Sequence, residues 1–178
     1  MNPIKNKKDL EATIDDIRNF GTLKFVYGPN ILKVRLQKLG PEMLSEDVES
    51  KIFIERLRKK DKWNITKALM DQSVVAGVGN YIKAESLWLA GISPQRDVSD
   101  ITDGELILLN EAIKDIMRTS YKSGGATFLT HKNFSDEKGD YSSGFLCYNR
   151  KQDAEGNRVV KTKTPDGRTT HWSPVKQK

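Results

Sequence analysis

The sequence predicts an α+β fold on three observations: alternating apolar residues around a turn near its start, helical apolar spacing through its middle, and short alternating runs around a Pro-Asp-Gly turn near its end. Near the start, Thr22-Leu23-Lys24-Phe25-Val26-Tyr27 alternates, Gly28-Pro29-Asn30 marks a turn, and Leu32 to Leu36 alternates again. Ile14 to Leu39 therefore reads as an extended hairpin, broken by Gly40-Pro41. From Ser45 onward Val48, Ile52, Phe53 and Leu57 recur at helical spacing with charges between them. A short helix is expected over Ile65 to Met70 with Asn64 as its N-cap. The next begins near Asn80, where Val78, Tyr81, Ile82, Trp88 and Leu89 fall on one face, and Gly91 and Pro94 stop it. Thr102 and Glu105 form a capping box ahead of a long amphipathic helix to about Tyr121, ended by Ser123-Gly124-Gly125. Thr130 to Ser143 is polar and aperiodic, and reads as a mobile loop. Phe145 to Tyr148, Arg158 to Lys163 and Thr169 to Trp172 read as strands, with Pro165-Asp166-Gly167 at a hairpin tip.

A chain of 178 residues with 37% hydrophobic content can bury a core of one ordinary domain plus at most a small appendage. No run is long and apolar enough for a membrane span, and Lys5, Lys7 and Lys8 mixed with Asp9 and Glu11 do not make a signal peptide, so an intracellular location, nucleus or cytoplasm, is expected rather than secretion. Cys147 is the one cysteine, which excludes an intramolecular disulfide and a multi-cysteine metal site. The formal charge of +6 is unevenly spread. From Cys147 to Lys178, Arg150, Lys151, Arg158, Lys161, Lys163, Arg168, Lys176 and Lys178 stand against Asp153, Glu155 and Asp166. A basic C-terminal module is thus attached to a nearly neutral body, and nucleic acid is the leading partner for it. On charge alone a solvated basic tail remains an equal alternative.

The most informative stretch is Asp71 to Pro94, DQSVVAGVGNYIKAESLWLAGISP, which places Gly77, Gly79 and Asn80 where a helix begins. Glycines let the backbone approach a ligand, and a helix start presents amide donors and the positive end of the dipole, so the expected ligand is an anion. Read alone, the two glycines are better taken as a helix C-cap and a tight link to the next helix, since a lone glycine pair is weak evidence.

This segment resembles the helix–two-turn–helix signature of the formamidopyrimidine-DNA glycosylase and endonuclease VIII family. The order Asn80-Tyr81-Ile82 followed by Ala84-Glu85 looks closer to the endonuclease VIII-like branch. The resemblance assigns Asn80 a contact to a phosphate beside the damaged nucleotide. Glu85 reads as a carboxylate tying helices together, and Tyr81 and Trp88 as core. Upstream, Asp16-Ile17-Arg18-Asn19-Phe20-Gly21 is similar to the family's D-P-R-x-F-G loop. There the Phe20 ring would wedge between stacked bases and the Arg18 guanidinium would bond the base left unpaired by an extruded nucleotide. Taken without the family, the same residues read as a strand-start core Phe and a solvated Arg. Downstream, Asp166-Gly167-Arg168-Thr169-Thr170-His171-Trp172-Ser173-Pro174 resembles the family's G-R-x-T-x-x-C-P finger, and assigns Arg168 a phosphate beside the same lesion. Ser173 stands where a zinc ligand would be, so the match is to a zincless finger; no metal and no cofactor are expected. His171 is then structural or a DNA contact, and His131 is too isolated to complete a site.

The resemblance spans about Asp15 to Pro174 and implies a remnant of an N-terminal β-sandwich over residues 1–40, a helix–two-turn–helix domain over 41–129, the loop over 130–144 and a basic finger hairpin over 145–178. It implies base excision repair, with double-stranded damaged DNA as partner. Family members attack the sugar through an N-terminal amine, usually proline, backed by a glutamate. Here Met1-Asn2-Pro3 locks the Pro3 nitrogen in a peptide bond and Glu11 lies well beyond the adjacent position, so no catalytic residue is assigned and the chain alone is expected to bind without cleaving. A stand-alone DNA-binding module and a ribosomal RNA-binding helix–two-turn–helix protein are the rival readings. Arg18-Asn19-Phe20-Gly21 and the Arg168 hairpin argue against the ribosomal one. Lesion preference is not legible, because Thr127 to Ser143 carries no readable signature.

Overall fold

Helix α1, Pro29–Leu36, occupies the place where the sequence predicts the second strand of a hairpin. Proline at the first helical position explains the difference, since its fixed φ suits a helix start and its missing N–H costs nothing there. Ile31, Val34 and Leu36 are all exposed, so their spacing marks no buried sheet face. The structure, a computed structural model, describes residues 29–44, 48–123 and 144–178. The chain divides into two units, Met1–Val34 and Arg35–Lys178. The expected strand over Thr22 to Tyr27, the Arg18 and Phe20 loop, and the expected mobile loop from Thr130 to Ser143 lie outside the described residues.

In the second unit, α2 (Ser50–Arg58) buries Phe53 and Leu57 and leaves Ile52 exposed. Helix α3 is short, Ile65–Met70, and Asn64 caps it: its Oδ1 accepts the Thr66 amide at 3.0 Å and the Thr66 hydroxyl at 2.5 Å. The Asn64 amide also donates to Pro94 O and Arg96 O, so this cap ties α3 to the segment after the next helix. Between α2 and α3, the Lys60 and Lys67 ammonium groups lie 4.3 and 4.2 Å from the Trp63 ring centre. Helix α4, Asn80–Leu89, follows a double turn, and α5, Asp103–Lys122, carries the expected capping box on Thr102 and Glu105.

Helix α5 packs along α4 and α2. Its Leu106, Leu109, Ile113, Ile116 and Met117 meet Leu57, Leu69, Val75, Val78, Ile82 and Leu87 in one core. Trp88 is buried as expected, whereas Leu89, read as part of the same face, is exposed. Gly40 sits against the double turn so closely that a Cβ there would lie 2.5 Å from the Val74 carbonyl. Its amide bonds Gln72 O at 2.7 Å, which anchors the segment before α2 to the region between α3 and α4.

The C-terminal part is an antiparallel hairpin of β1 (Val160–Lys163) and β2 (Thr169–Trp172), with Val160 opposite Trp172 and Lys163 opposite Thr169. Phe145 to Tyr148, predicted as a strand, forms turns instead. The reason is visible in the hydrogen bonds: three consecutive amides, of Leu146, Cys147 and Tyr148, converge on the Glu85 carboxylate at 2.6, 2.8 and 2.6 Å. Successive amides of a strand point to opposite sides, so this convergence and an extended strand exclude one another. Among the described residues no helix is long and apolar enough to cross a membrane.

Candidate nucleic-acid interface

The double turn between α3 and α4 is braced by one side chain. Gln72 Oε1 accepts the Gly77 amide at 2.9 Å while its Nε2 donates to Val78 O at 3.1 Å. Gly77 has φ +85°, a conformation that disfavours any side chain, and a Cβ there would lie 3.0 Å from Met117 Cε. Its amide is already engaged, so Gly77 shapes the turn. Gly79 differs: its φ of −110° and ψ of −177° are open to any residue, and a Cβ would meet nothing within 4 Å. Among the described residues nothing requires glycine there. Gly79 is the N-cap of α4 and has no capping side chain among the described residues, and the first helical bond runs from Lys83 N–H to Gly79 O at 2.9 Å.

The fold brings the finger hairpin to this helix start. Asn80 Nδ2 donates to Thr169 O at 3.1 Å and lies 3.4 Å from the Tyr148 hydroxyl, while Asn80 Oδ1 is buried without a partner. Asn80 and Arg168, far apart in sequence, thus flank one place. Arg168 follows Gly167, whose φ is +78°, and is exposed at the turn. Its guanidinium has no hydrogen-bond or ion-pair partner among the described residues.

One turn into α4, Lys83 is fully buried, and its ammonium meets Asp166 Oδ2 at 2.5 Å. The other Asp166 oxygen accepts the Thr164 hydroxyl at 2.5 Å, and Thr164 bonds the Thr170 hydroxyl at 2.8 Å and Arg168 O at 3.0 Å. Burial draws Lys83 below the ordinary lysine range, against the opposing pull of Asp166. Burial acts to raise Asp166, but the Lys83 and Thr164 hydrogen bonds prevail and hold it below the ordinary carboxylate range.

Further along α4, Glu85 is fully buried; desolvation pushes its carboxyl up, opposed by the three amides and by Arg150. The predicted role of tying helices together is corrected, since Glu85 ties α4 to the segment entering the finger. Trp88 Nε1 donates to Asp153 Oδ2 at 3.0 Å, and Asp153 Oδ1 accepts the Glu155 and Asn157 amides at 3.0 and 2.8 Å. Lys176 pairs with Glu155 and lies over the Trp88 ring, and Gln177 bonds both Ser173 N at 2.8 Å and Ile92 O at 2.8 Å. These contacts fasten both ends of the finger to α4 and the turn after it. His171 is buried edge-on to Tyr148, and burial and Lys161 hold it below its ordinary range, so it is neutral near pH 7. Cys147 is buried and its thiol is pushed up to about 12, first by burial and then by Glu85 and Asp153, which makes it unreactive. Among the described residues no group of three or more His, Cys, Asp or Glu is arranged to hold a metal.

Residues 39–132 match the family model described as the formamidopyrimidine-DNA glycosylase H2TH domain. The chain belongs to the formamidopyrimidine-DNA glycosylase and endonuclease VIII family. It is 35% identical over 97% of its length to a formamidopyrimidine-DNA glycosylase of Prochlorococcus marinus strain MIT 9215, and covers 60% of that protein. The corresponding figures for the Bdellovibrio bacteriovorus formamidopyrimidine-DNA glycosylase are 36%, 96% and 63%. Among solved structures, the complex of Lactococcus lactis Fpg with abasic-site DNA superposes with a TM-score of 0.80 at 32% identity, over 92% of this chain and 60% of that one. A complex of MutM with DNA containing carbocyclic 8-oxo-G gives 0.79 at 31% identity, with the same coverage. The chain therefore spans about 60% of the length of the relatives it matches.

Of the residues singled out by sequence, Gly77, Gly79 and Asn80 lie at the double turn and the start of α4, Arg168 directly precedes the Thr169 whose carbonyl Asn80 bonds, and Arg18, Phe20 and His131 lie outside the described residues. Sequence reasoning missed Gln72, Lys83 and Asp153, and took Asp166 only as a turn residue. Lys83 carried a signal: a charge four residues before Leu87, on the helix face that the core claims. Its partner could not be read, because Asp166 is 83 residues away.

Proposed function

We propose that this chain grips damaged double-stranded DNA through a phosphate clamp made of the α4 start, with Gly79 and Asn80, and the Arg168 finger turn, with Gly77 shaping the approach. The observation that carries the reading is Asn80 Nδ2 bonded to Thr169 O, which sets the residue after the exposed Arg168 against the N-terminus of α4. Gly79, unconstrained from within, fits close approach of a phosphate. The relatives are named as formamidopyrimidine-DNA glycosylases, and the superposed proteins were solved with abasic-site or carbocyclic 8-oxo-G DNA, which supports the same partner here. Arg18 and Phe20 fill the gap left by an extruded base in this proposal, and Ser173 marks a zincless finger of the endonuclease VIII-like branch. The protein would then work in base excision repair, wherever duplex DNA is kept, nucleus or cytoplasm.

The same proposal holds that these residues bind and do not cleave. A Schiff-base nucleophile must be a free amine, and the buried amine at this site, Lys83, is committed to Asp166. Borohydride treatment with an abasic duplex should leave no covalent adduct of the purified 178-residue chain; a robust adduct defeats this part. For binding, neutralising about three to four phosphates predicts that log affinity falls with log salt at a slope of roughly −3 to −4. A flat salt response rejects the clamp. Phe20→Ala should reduce preference for a lesion more than affinity for intact duplex, because backbone contacts position and a wedge discriminates.

A further inference from the structure

We propose that Lys83 is a positioning residue for Arg168: by taking up the Asp166 carboxylate it keeps the Arg168 guanidinium open to a phosphate. The inference rests on the reading of Arg168 as a phosphate ligand. Asp166 stands two residues before Arg168 on the same tight turn. An aspartate at such a distance is the natural intramolecular partner of the guanidinium and a direct competitor of any anion. In the structure both Asp166 oxygens are taken, one by Lys83 at 2.5 Å and the other by Thr164 at 2.5 Å, and the carboxylate side chain is 2% exposed. Arg168 stays exposed, close enough to Lys83 for the two cations to repel. Three charges thus leave one net positive charge, and it stands on the residue that faces solvent.

A buried ion pair is a poor source of stability, because desolvation of both ions offsets their attraction. Stability alone is therefore a weak reason for placing a lysine at a fully buried position of α4. Electrostatic competition at Arg168 supplies a reason that concerns the ligand. Removing Lys83 frees a carboxylate beside Arg168 and leaves the turn with no net charge; removing both charged groups restores the positive turn without the pair.

The test is fluorescence anisotropy of an abasic-site duplex with wild type, Arg168→Ala, Lys83→Met, Lys83→Gln, and each Lys83 variant combined with Asp166→Asn, with thermal unfolding measured in parallel. Lys83→Gln keeps a donor for Asp166 and guards against loss of the fold. Either single Lys83 variant is expected to weaken binding about tenfold and to reduce the salt slope by about one, the effect of losing one charge-assisted phosphate contact. Adding Asp166→Asn is expected to bring affinity back to within about threefold of wild type, on the order of 0.7 kcal/mol. If the double variants bind as weakly as the single ones, the pair is structural and the proposal fails. Lys83 variants that bind like wild type while Arg168→Ala weakens binding overturn the proposal and leave the clamp standing. An Arg168→Ala variant that binds like wild type removes the clamp itself, and with it any role for Lys83.

Discussion

Replacing Glu85 by alanine is expected to destabilise the protein more than any surface change, and the structure sets the size of the effect. The carboxylate is fully buried on α4 and accepts the amides of Leu146, Cys147 and Tyr148 at 2.6, 2.8 and 2.6 Å. An amide left buried without an acceptor costs about 1–3 kcal/mol. Truncation opens a polar cavity large enough for a water, which can satisfy some of the three donors but not reproduce the ionised acceptor. A net loss of about 3–5 kcal/mol follows, a large share of the ~5–15 kcal/mol that holds a typical protein folded. At roughly 2–4 °C per kcal/mol for a chain of this size, Tm should fall by about 6–20 °C. Glu85→Gln keeps one acceptor oxygen but turns an NH2 toward the amides, so its loss should be intermediate, about 2 kcal/mol. Urea unfolding followed by circular dichroism measures both. A Glu85→Ala variant within about 1 kcal/mol of wild type would refute the reasoning that this carboxylate holds the finger on α4.

Two smaller effects depend on pH. Burial and Lys161 hold His171 below its ordinary value of 6.5, so the unfolded chain takes up this proton first and the group's contribution, complete above pH 6.5, is lost as pH falls below it; His171→Phe should flatten that decline in a Tm-against-pH series, and an unchanged slope contradicts it. Arg96 holds Glu105 down to about 2 from 4.5, so its stabilisation is complete above pH 4.5 and lost between there and about pH 2; because the pair is partly exposed, Glu105→Gln should cost only about 1 kcal/mol at pH 7, with the gap closing in acid.

Local chemistry made much of this fold readable before any coordinates. Asn64 and Thr102 announce helix starts by their own side chains, and Pro165-Asp166-Gly167 announces a turn, since the residues that make each feature are neighbours in sequence. The errors occur where distant groups decide. Phe145 to Tyr148 has strand composition, yet a carboxylate some sixty residues earlier collects its amides. Leu32 to Leu36 alternates, yet Pro29 starts a helix, which leaves Val34 and Leu36 exposed. At the candidate site, Gly79, Asn80 and Arg168 were legible as residue types suited to phosphate. Their meeting through Thr169 O was not, and neither was the Lys83–Asp166 pair behind them, because hydrogen bonds that span eighty or more residues leave no periodicity.

The central claim is that the start of α4 and the Arg168 turn form one phosphate site. It is tested most directly by replacing single phosphates around an abasic site with neutral methylphosphonates and measuring affinity for wild type and Arg168→Ala. The account predicts that one or two adjacent positions carry nearly all of the loss, each about tenfold, and that Arg168→Ala is insensitive at one of them. A small, even loss along the whole strand, identical in wild type and Arg168→Ala, would contradict it.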